Sequence, residues 1–473
     1  TAQEHAPAQT KTGSSTELNT AGWIIQFDMG RARLPGAASM PSELLPASSL
    51  SFSGLRSLYR RDGFGAELVT VMPPSPSEPS DSGAHPAFEN GKRPPSWSEM
   101  SAPSMTVLLR PDGNDLNSVL GTHHARMTVH DPYIESTIAL HGQRVPLAAN
   151  FTAGYGLWLA RSGFNWQSLR SLLGREGGIN RPWIYLMQPY DPNRRVILML
   201  HGLASSPEAW VNLANEILGD ETLRQHYQIW QVYYPTNLPI AFNHAMIRRT
   251  LEDTLTHFDP SGRAAASSNV VLVGHSMGGV IARLMVSAAD GQLMQLTKNQ
   301  YQLTPQQIKH IEPVLRFEPI DRVSRAIFIA TPHRGTLIAS GRLLRKIASF
   351  IRLPVTLLKN VVQQLAPNAA ADSHKSLESI PNSIVNLDET NPFIRVAADL
   401  PISPRVSYHS IVAQANPAVA LANSDDGLVP YRSAHLPGAR SEKVIISNHS
   451  VQQNAAAILE IQRILREDMA QQQ

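Results

Sequence analysis

The sequence predicts an α/β fold in which helices flank a mostly parallel sheet, with a smaller accessory region on the N-terminal side. Two observations support this prediction. After about residue 181, short continuous apolar runs alternate with segments of helical spacing, and a glycine-rich turn joins one such run to a helix-like one. Because both faces of a parallel sheet are covered, its strands appear as unbroken apolar runs between helices.

The strand-like runs of the main domain share a length of five to eight residues. They are VILML at 196–200, QIWQVYYP at 228–235, NVVLVG at 269–274, RAIFIA at 325–330, YHSIVAQ at 408–414 and KVIIS at 443–447. Helix-like stretches at 207–218 and 240–257 separate the first three of them. This alternation is typical of a parallel sheet built from strand–helix–strand units.

The domain organisation follows from changes in composition along the chain. Residues 1–22 are polar and predict a flexible tail, and residues 23–180 predict a small mixed or β-rich accessory region with a Pro/Ser-rich loop at 73–103. The main α/β domain is expected over 181–473. An insertion at about 336–400, between two strand-like runs, predicts a helical cap.

Composition excludes several classes of function. The 41 Lys and Arg residues nearly balance the 38 Asp and Glu residues, and a net charge of +3 is too weak a bias to indicate nucleic-acid binding. The absence of cysteine excludes disulfides, thiolate metal sites and a cysteine nucleophile. The 17 histidines form no cluster with metal-ligand spacing, and no uncharged apolar run approaches the roughly 18 residues of a membrane-spanning helix.

A candidate nucleophile lies in the pentapeptide Gly274-His275-Ser276-Met277-Gly278. The pentapeptide follows a strand-like run and precedes a helix-like one, and Gly279 extends it. A sharp strand-to-helix turn exposes the serine hydroxyl, and the glycines remove side chains that would collide with the neighbouring backbone. The alternative is a chance cluster of Gly and Ser in a turn, but the strand–turn–helix context favours the nucleophile.

Two backbone amides are candidates for an oxyanion hole. Acyl transfer needs two N–H donors aimed at the oxygen of the tetrahedral intermediate. One donor is expected from Met277, and the second from Leu203, which follows His201-Gly202 directly after the run VILML. The alternative for the second segment is a plain glycine turn after a strand. His201 itself is interpreted as a hydrogen-bonded structural residue.

A candidate acid and base occur after the serine, in the order that a serine hydrolase of this topology requires. Asp426 precedes a turn glycine on a loop after a strand-like run, with Asp425 as the alternative and a solvated turn as the non-catalytic interpretation. His449 follows the last strand-like run and is the candidate general base. His435 is interpreted as a surface or packing residue, and His409 as a core histidine inside a strand.

The motifs in combination resemble those of a known family. They are VILMLHG, VGHSMGG, ATPHRGT, SDDGLVP and SNHS. Together they resemble bacterial α/β-hydrolases of the lipase/esterase type, closest to the branch related to GPI-inositol-deacylase-like hydrolases. The resemblance covers about 181–473 and implies a triad of Ser276, Asp426 and His449, no cofactor, and an exported or envelope-associated protein of a Gram-negative bacterium. It places His333 and Arg334 near the edge of the active site as scaffold or pocket wall.

The segment 336–365 carries apolar residues at helical spacing, five basic residues and no acidic ones. This pattern predicts a lid whose apolar face covers an acyl pocket and whose basic face contacts anionic lipid. The alternative is a cap packed on the core with a solvated basic face.

We therefore expect a serine carboxylester hydrolase that acts on an acyl ester or lipid, with a lipase, esterase or phospholipase A-like activity. A thioesterase, amidase or transacylase could use the same triad, because the chemistry up to the acyl-enzyme is shared. A binding protein that kept the fold and lost the activity is the alternative from another class.

Overall fold

The chain forms two compact units. The computed structural model describes residues 16–35, 41–73, 95–140, 142–164, 179, 181–337 and 382–471. The first unit combines Thr1–Pro74 with Met100–Arg161, and the second combines Ser75–Glu99 with Ser162–Gln473. The units are divided differently from the predicted 23–180 and 181–473, because the second unit includes Ser75–Glu99 and continues from Ser162.

The first unit is rich in β-structure. Its strands are β1 (Thr16–Thr20), β2 (Trp23–Arg31), β3 (Glu43–Pro46), β4 (Arg60–Arg61), β5 (Ala66–Val71), β7 (Ser104–Pro111), β8 (His124–His130), β9 (Thr137–Leu140), β10 (Gln143–Pro146) and β11 (Ala149–Asn150), with helices α1 (Leu116–Gly121) and α2 (Ala153–Ser162). A mixed sheet has the order β1-β2-β8-β7-β5-β3, and β4/β11 and β9/β10 form two-stranded ladders. Leu108, Ile138 and Leu147 pack together as a small core.

The second unit is built on one eight-stranded sheet. Its strands are β6 (Trp97–Glu99), β12 (Trp183–Leu186), β13 (Arg195–Leu200), β14 (Tyr227–Tyr233), β15 (Val270–His275), β16 (Val323–Ile329), β17 (Ser407–Gln414) and β18 (Ser441–Ile446). Their order is β18-β17-β16-β15-β13-β14-β12-β6. From β14 to β18 every pairing is parallel, whereas β12 runs antiparallel to β14 and parallel to β6.

Helices cover the sheet of the second unit. They are α3 (Val211–Gly219), α4 (Glu221–His226), α5 (Ile240–Phe258), α6 (Met277–Met285), α7 (Gln292–Gln300), α8 (Pro305–Leu315), α9 (Ser383–Leu387), α10 (Pro392–Asp399), α11 (Tyr431–Ala434) and α12 (Ala455–Ala470). In α5, the buried residues Ile247, Leu251 and Leu255 recur every four positions and so form one apolar stripe. Every residue of β13, β14 and β15 is buried. The predicted α/β-hydrolase fold is thereby confirmed.

Two segments that the sequence assigned to a tail and a loop form strands. Residues 16–20, expected in the tail, pair with β2 through a turn at Ala21 and Gly22, where φ is 48° and 80°. Two positive φ values suit a tight hairpin, but Ala-Gly lacks the Asn-Gly or Asp-Gly signal that predicts one. Residues 97–99, expected in the Pro/Ser-rich loop, form the edge strand β6 because they pair with β12, about 85 positions further along the chain.

The predicted cap lies largely outside the described residues. Of the insertion at about 336–400, residues 338–381 are not described, and the rest contains α9 and α10. The predicted lipid-contacting segment 336–365 likewise falls outside the described part except for its first two residues. In the helices that the structure describes, none is both long enough and apolar enough to cross a membrane. Within the same residues no cluster of His, Asp and Glu has the arrangement of a metal site.

Candidate active site

Ser276 occupies a tight turn between the end of β15 and the start of α6. Its backbone has φ 53° and ψ −123°, a conformation that is unfavourable for a residue with a side chain. The Ser276 amide donates to the Ile329 carbonyl oxygen at 2.9 Å, which ties the turn to the end of β16. The strain is therefore held in place by the sheet, at the carboxyl end of a central parallel strand.

Glycines allow this turn because the backbone segments around it approach too closely for a side chain. A Cβ atom at Gly274 would lie 2.6 Å from the Gly278 carbonyl oxygen, and one at Gly278 would lie even closer to that of Leu200. A Cβ atom at Gly279 would overlap the side chain of Thr331. The G-x-S-x-G spacing is thus dictated by backbone packing at the strand–helix junction.

Three predicted residues form a continuous hydrogen-bonded chain. His449 Nε2 lies 2.9 Å from Ser276 Oγ, and His449 Nδ1 lies 2.8 Å from Asp426 Oδ2. A carboxylate accepts hydrogen bonds, so Nδ1 carries the proton and Nε2 is free to accept the serine hydroxyl. The three side chains come from the loops after β15, β17 and β18, which meet at one edge of the sheet.

The loop after β17 distinguishes the two neighbouring carboxylates. Asp426 is buried, and its Oδ1 accepts the Leu428 and Val429 amides at 2.9 and 2.7 Å, so that Oδ2 is left for His449. Asp425 is exposed, and its Oδ1 accepts the amide of Gly427 at 2.8 Å. Asp426 is therefore the carboxylate that contacts the imidazole.

His275 holds the backbone of His449, a role that was missing from the sequence prediction. Its Nε2 donates to the His449 carbonyl oxygen at 2.9 Å. Burial, together with the neighbouring His449, lowers the pKa of His275 to about 3, so that this side chain is neutral at physiological pH. The only sequence signal for this contact was the position of His275 next to Ser276 in the turn.

The loop after β13 passes directly beside the serine. A Cβ atom at Gly202 would lie 3.1 Å from Ser276 Cβ, so glycine permits the close approach. The Tyr234 hydroxyl donates to the His201 carbonyl oxygen at 2.6 Å and fixes the loop from the neighbouring strand. His201 Nδ1 donates to the Gly202 carbonyl oxygen at 2.9 Å, and burial lowers the pKa of His201 to about 4, which agrees with its interpretation as a neutral structural residue.

The two predicted oxyanion donors are the backbone amides of Met277 and Leu203. Met277 is the first residue of α6, so its amide is one of the N–H groups that a helix leaves without an internal partner. Leu203 follows Gly202 on the adjacent loop. Among the hydrogen bonds of the described residues, none is donated by the amide of Met277 or Leu203. Within the described residues, neither amide is therefore occupied by a protein acceptor.

Comparison with known families agrees with this geometry. Residues 191–436, just over half of the chain, match the family described as "Putative serine esterase (DUF676)". The chain belongs to this family. It is a serine ester hydrolase of the lipase/esterase type, as the motifs had indicated. A search of curated proteins found no significant match.

Several solved bacterial esterases and lipases share low similarity with this serine esterase. The mature lipase BlEst2 of Bacillus licheniformis is 17% identical, with 61% of this chain and 99% of that chain covered and a TM-score of 0.36. The esterase of Exiguobacterium antarcticum is 13% identical over 60% and 95% of the two chains, with a TM-score of 0.31. Esterase B of Lactobacillus rhamnosis, inhibited by a tributyrin phosphonate, is 14% identical over 60% and 78%, with a TM-score of 0.31.

Three other histidines of the esterase lie outside the triad. His409 is buried, with Nδ1 2.7 Å from Ser441 Oγ and Nε2 2.6 Å from an Arg325 nitrogen, as expected for a satisfied core histidine. His435 Nδ1 lies 2.7 Å from a Glu442 carboxylate oxygen. His333, expected near the active-site edge, lines a separate cavity that none of the three triad residues lines.

Proposed function

We propose that this enzyme hydrolyses carboxylic esters through an acyl-enzyme on Ser276, with His449 as general base and Asp426 as the group that orients it. The observation that carries the proposal is the series of hydrogen bonds from Asp426 through His449 to Ser276, at 2.8 and 2.9 Å. The strained turn that presents Ser276 adds support, because strain of this kind is costly and is retained where it serves a site.

In the first half-reaction, Ser276 Oγ attacks the ester carbonyl carbon while His449 Nε2 takes the hydroxyl proton. Negative charge develops on the carbonyl oxygen, which the amides of Met277 and Leu203 would stabilise. The positive end of α6 lies at the same point and favours this charge. The intermediate then collapses, the bond to the alkoxy oxygen breaks, and His449 returns its proton to the departing alcohol.

In the second half-reaction, water attacks the acyl carbon and gives its proton to His449. The tetrahedral intermediate collapses, the bond between the acyl carbon and Ser276 Oγ breaks, and the imidazolium protonates the serine. The products are a carboxylic acid and a free enzyme. Asp426 keeps the proton of the neutral imidazole on Nδ1 and stabilises the imidazolium in both steps. Two backbone amides hold its carboxylate in position for this role.

The test is hydrolysis of p-nitrophenyl esters from acetyl to palmitoyl by the wild type and Ser276→Ala. We expect the variant to lose at least about 10³-fold in kcat, because no nucleophile remains. Ser267→Ala is the control, since Ser267 is also buried but lies at the opposite end of β15. Circular dichroism and Tm establish that both variants fold. Ester turnover that survives in Ser276→Ala would contradict the proposal.

The same substrate series addresses chain length and the lipase alternative. A wild-type rate that rises with chain length and with anionic phospholipid vesicles would support a lipase or phospholipase A-like enzyme. A rate confined to short chains would support an esterase with a small acyl pocket. If only matched thioesters or amides show a Ser276-dependent rate, the triad serves a thioesterase or amidase instead.

A further inference from the structure

A cavity of about 720 Å³ lies in the α/β unit beside β17. Its walls come from α6, the segment after α10 and the loop between α11 and β18. A volume of this size suits a small organic molecule. Ser276, Asp426 and His449 do not line it, so the cavity is distinct from the proposed active site.

The cavity contains a buried positive charge, that of Arg283, which forms no ion-pair contact with a carboxylate of the described residues, although Asp399 of the same lining acts on it at longer range. Arg283 is buried, and one of its guanidinium nitrogens donates to the Ala398 carbonyl oxygen. Its Nε is buried without a hydrogen-bond partner among the described residues, and no described carboxylate lies within ion-pair distance of its nitrogens. Burial, and next the proximity of Arg334, lowers the pKa of Arg283 to about 10, so that it remains a cation near pH 7.

Two further side chains that line the cavity, those of Arg334 and His333, add positive charge and hydrogen-bonding groups. Arg334 lines the same cavity, and its ion pair with Asp399 is weak because the N···O distance is 3.6 Å and both side chains are largely exposed. His333 is buried, and neither of its ring nitrogens has a hydrogen-bond partner among the described residues. Burial and the two arginines lower its pKa well below the ordinary value, so that it presents one N–H and one acceptor nitrogen.

The remaining charged groups of the lining are paired, and they include one carboxylate, that of Asp399, the partner of Arg334. Arg440 contacts Glu467, and His435 contacts Glu442. The lining also has an apolar part, formed by the buried side chains of Leu400, Val406 and Leu436. A cavity whose lining includes two guanidinium groups, one of them only weakly ion-paired, together with aliphatic side chains is complementary to an amphipathic anion.

We propose that this cavity is a binding site for a small organic anion, whose carboxylate or phosphate group is held by Arg283 and Arg334 and whose apolar part lies against Leu400, Val406 and Leu436. A buried cation and unpartnered buried ring nitrogens are costly unless a ligand satisfies them. Guanidinium groups recognise carboxylate and phosphate through paired N–H donors. The site does not depend on the proposed ester hydrolysis.

The test is titration calorimetry on the full chain with inorganic phosphate, acetate and octanoate as probes. Octanoate binding more tightly than acetate identifies an amphipathic carboxylate ligand, and tighter phosphate binding identifies a phosphorylated one. With the preferred probe, we expect Arg334→Gln to weaken binding at least about 10-fold, the effect of one lost charge-assisted contact. Arg316→Gln is the matched control, because both arginine side chains are 56% exposed, both form an ion pair, and Arg316 does not line the cavity.

A second variant tests the contribution of the buried Arg283 to binding. Arg283→Lys keeps the charge and removes the planar pair of donors, and Tm in the absence of the probe establishes that it folds. We expect at least about 10-fold weaker binding here as well. Absence of wild-type binding at millimolar probe, or equal affinity in the wild type and Arg334→Gln, would overturn the proposal. Because binding is measured without turnover, its failure is distinguishable from a failure of the ester-hydrolase assignment.

Discussion

Two adjacent aspartates offer a sharp test of how His449 is oriented. In Asp426→Asn, the amide group would place an N–H donor against His449 Nδ1. This contact favours the tautomer that carries its proton on Nε2. A protonated Nε2 cannot accept the hydroxyl proton of Ser276. We expect kcat to fall by about 10³–10⁴-fold with little change in fold. The measurement is kcat on the best p-nitrophenyl ester, with Tm measured in parallel.

Asp425→Asn provides the matched control for that substitution. Asp425 is exposed and contacts its own turn through Oδ1, an atom that asparagine also has. Its activity is expected to stay within a few-fold of the wild type. If both substitutions were equally mild, Asp426 would have no orienting role, and if Asp425→Asn were the more severe, the assignment would be reversed.

The structure brings the predicted residues Ser276, Asp426 and His449 into hydrogen-bond contact, and the sequence points to a residue most directly where a short motif itself restricts the geometry. Ser276 and His449 could be selected because one lies in a turn between strand and helix and the other follows the last strand of the sheet. The choice between Asp425 and Asp426 was less certain from sequence, because neighbouring residues in a turn differ only in direction. His275 was missed because its contact with the His449 backbone spans 174 positions of the chain.

At the junction of β15 with α6, the residue that the helix can carry at position 279 is restricted by the neighbouring side chain of Thr331. Helix propensity alone predicts that Gly279→Ala stabilises α6 by up to about 1 kcal/mol. The structure predicts the opposite, since the new Cβ would overlap Thr331. Overpacking of this kind costs about 1–3 kcal/mol, so we expect a net destabilisation and a Tm lower by several degrees.

Two further substitutions examine the cause of that destabilisation. In the Gly279→Ala background, Thr331→Ala removes the overlapping hydroxyl and methyl groups and should restore part of the lost Tm. Gly121→Ala, at the end of α1, faces open space and should leave Tm unchanged or slightly raised. If Gly279→Ala raised Tm, the close contact with Thr331 would not constrain this junction.

The helices and strands that could be predicted from the sequence are those that a local residue pattern determines. The parallel strands appear as apolar runs because both of their faces are buried, and α5 appears through its four-residue repeat. The strands β1 and β6 were not recognised, because one depends on an unusual Ala-Gly turn and the other on a partner far along the chain. The predictions for 338–381 concern residues that the structure does not describe.

At the scale of the whole molecule, the α/β unit separates two kinds of buried polar group. At the edge of the sheet where Ser276 lies, His201 and His275 are buried and neutral, and each donates to a loop carbonyl oxygen. At the other end, Asp468 accepts hydrogen bonds from Arg195 at 2.6 Å and from Arg325 at 2.9 Å, which links β13 and β16 to α12. Because Asp468 contacts both guanidinium groups, each of these buried arginines has a carboxylate partner where the strands meet the C-terminal helix.

The neutral histidines predict a marked loss of stability in acid. Burial lowers the pKa of His201 and His409 to about 4 and of His244 and His275 to about 3, and that of His333 well below its ordinary value. In the unfolded chain the same side chains take up protons near pH 6.5. The unfolded state therefore binds more protons below this pH, so the stability is full above pH 6.5 and falls towards the folded-state pKa values.

We expect the loss of stability in acid that a single buried histidine causes to be large enough to measure. At pH 5 each such side chain costs about 2 kcal/mol relative to neutral pH, which is a sizeable part of a typical domain stability of about 5–15 kcal/mol. Tm should therefore drop steeply between pH 7.5 and pH 5. His244→Leu removes a buried titrating ring that packs on Phe317 and lies outside the triad, and it should reduce the size of that drop. An identical drop in the wild type and His244→Leu would mean that His244 takes up its proton equally in both states, and that the acid sensitivity arises elsewhere.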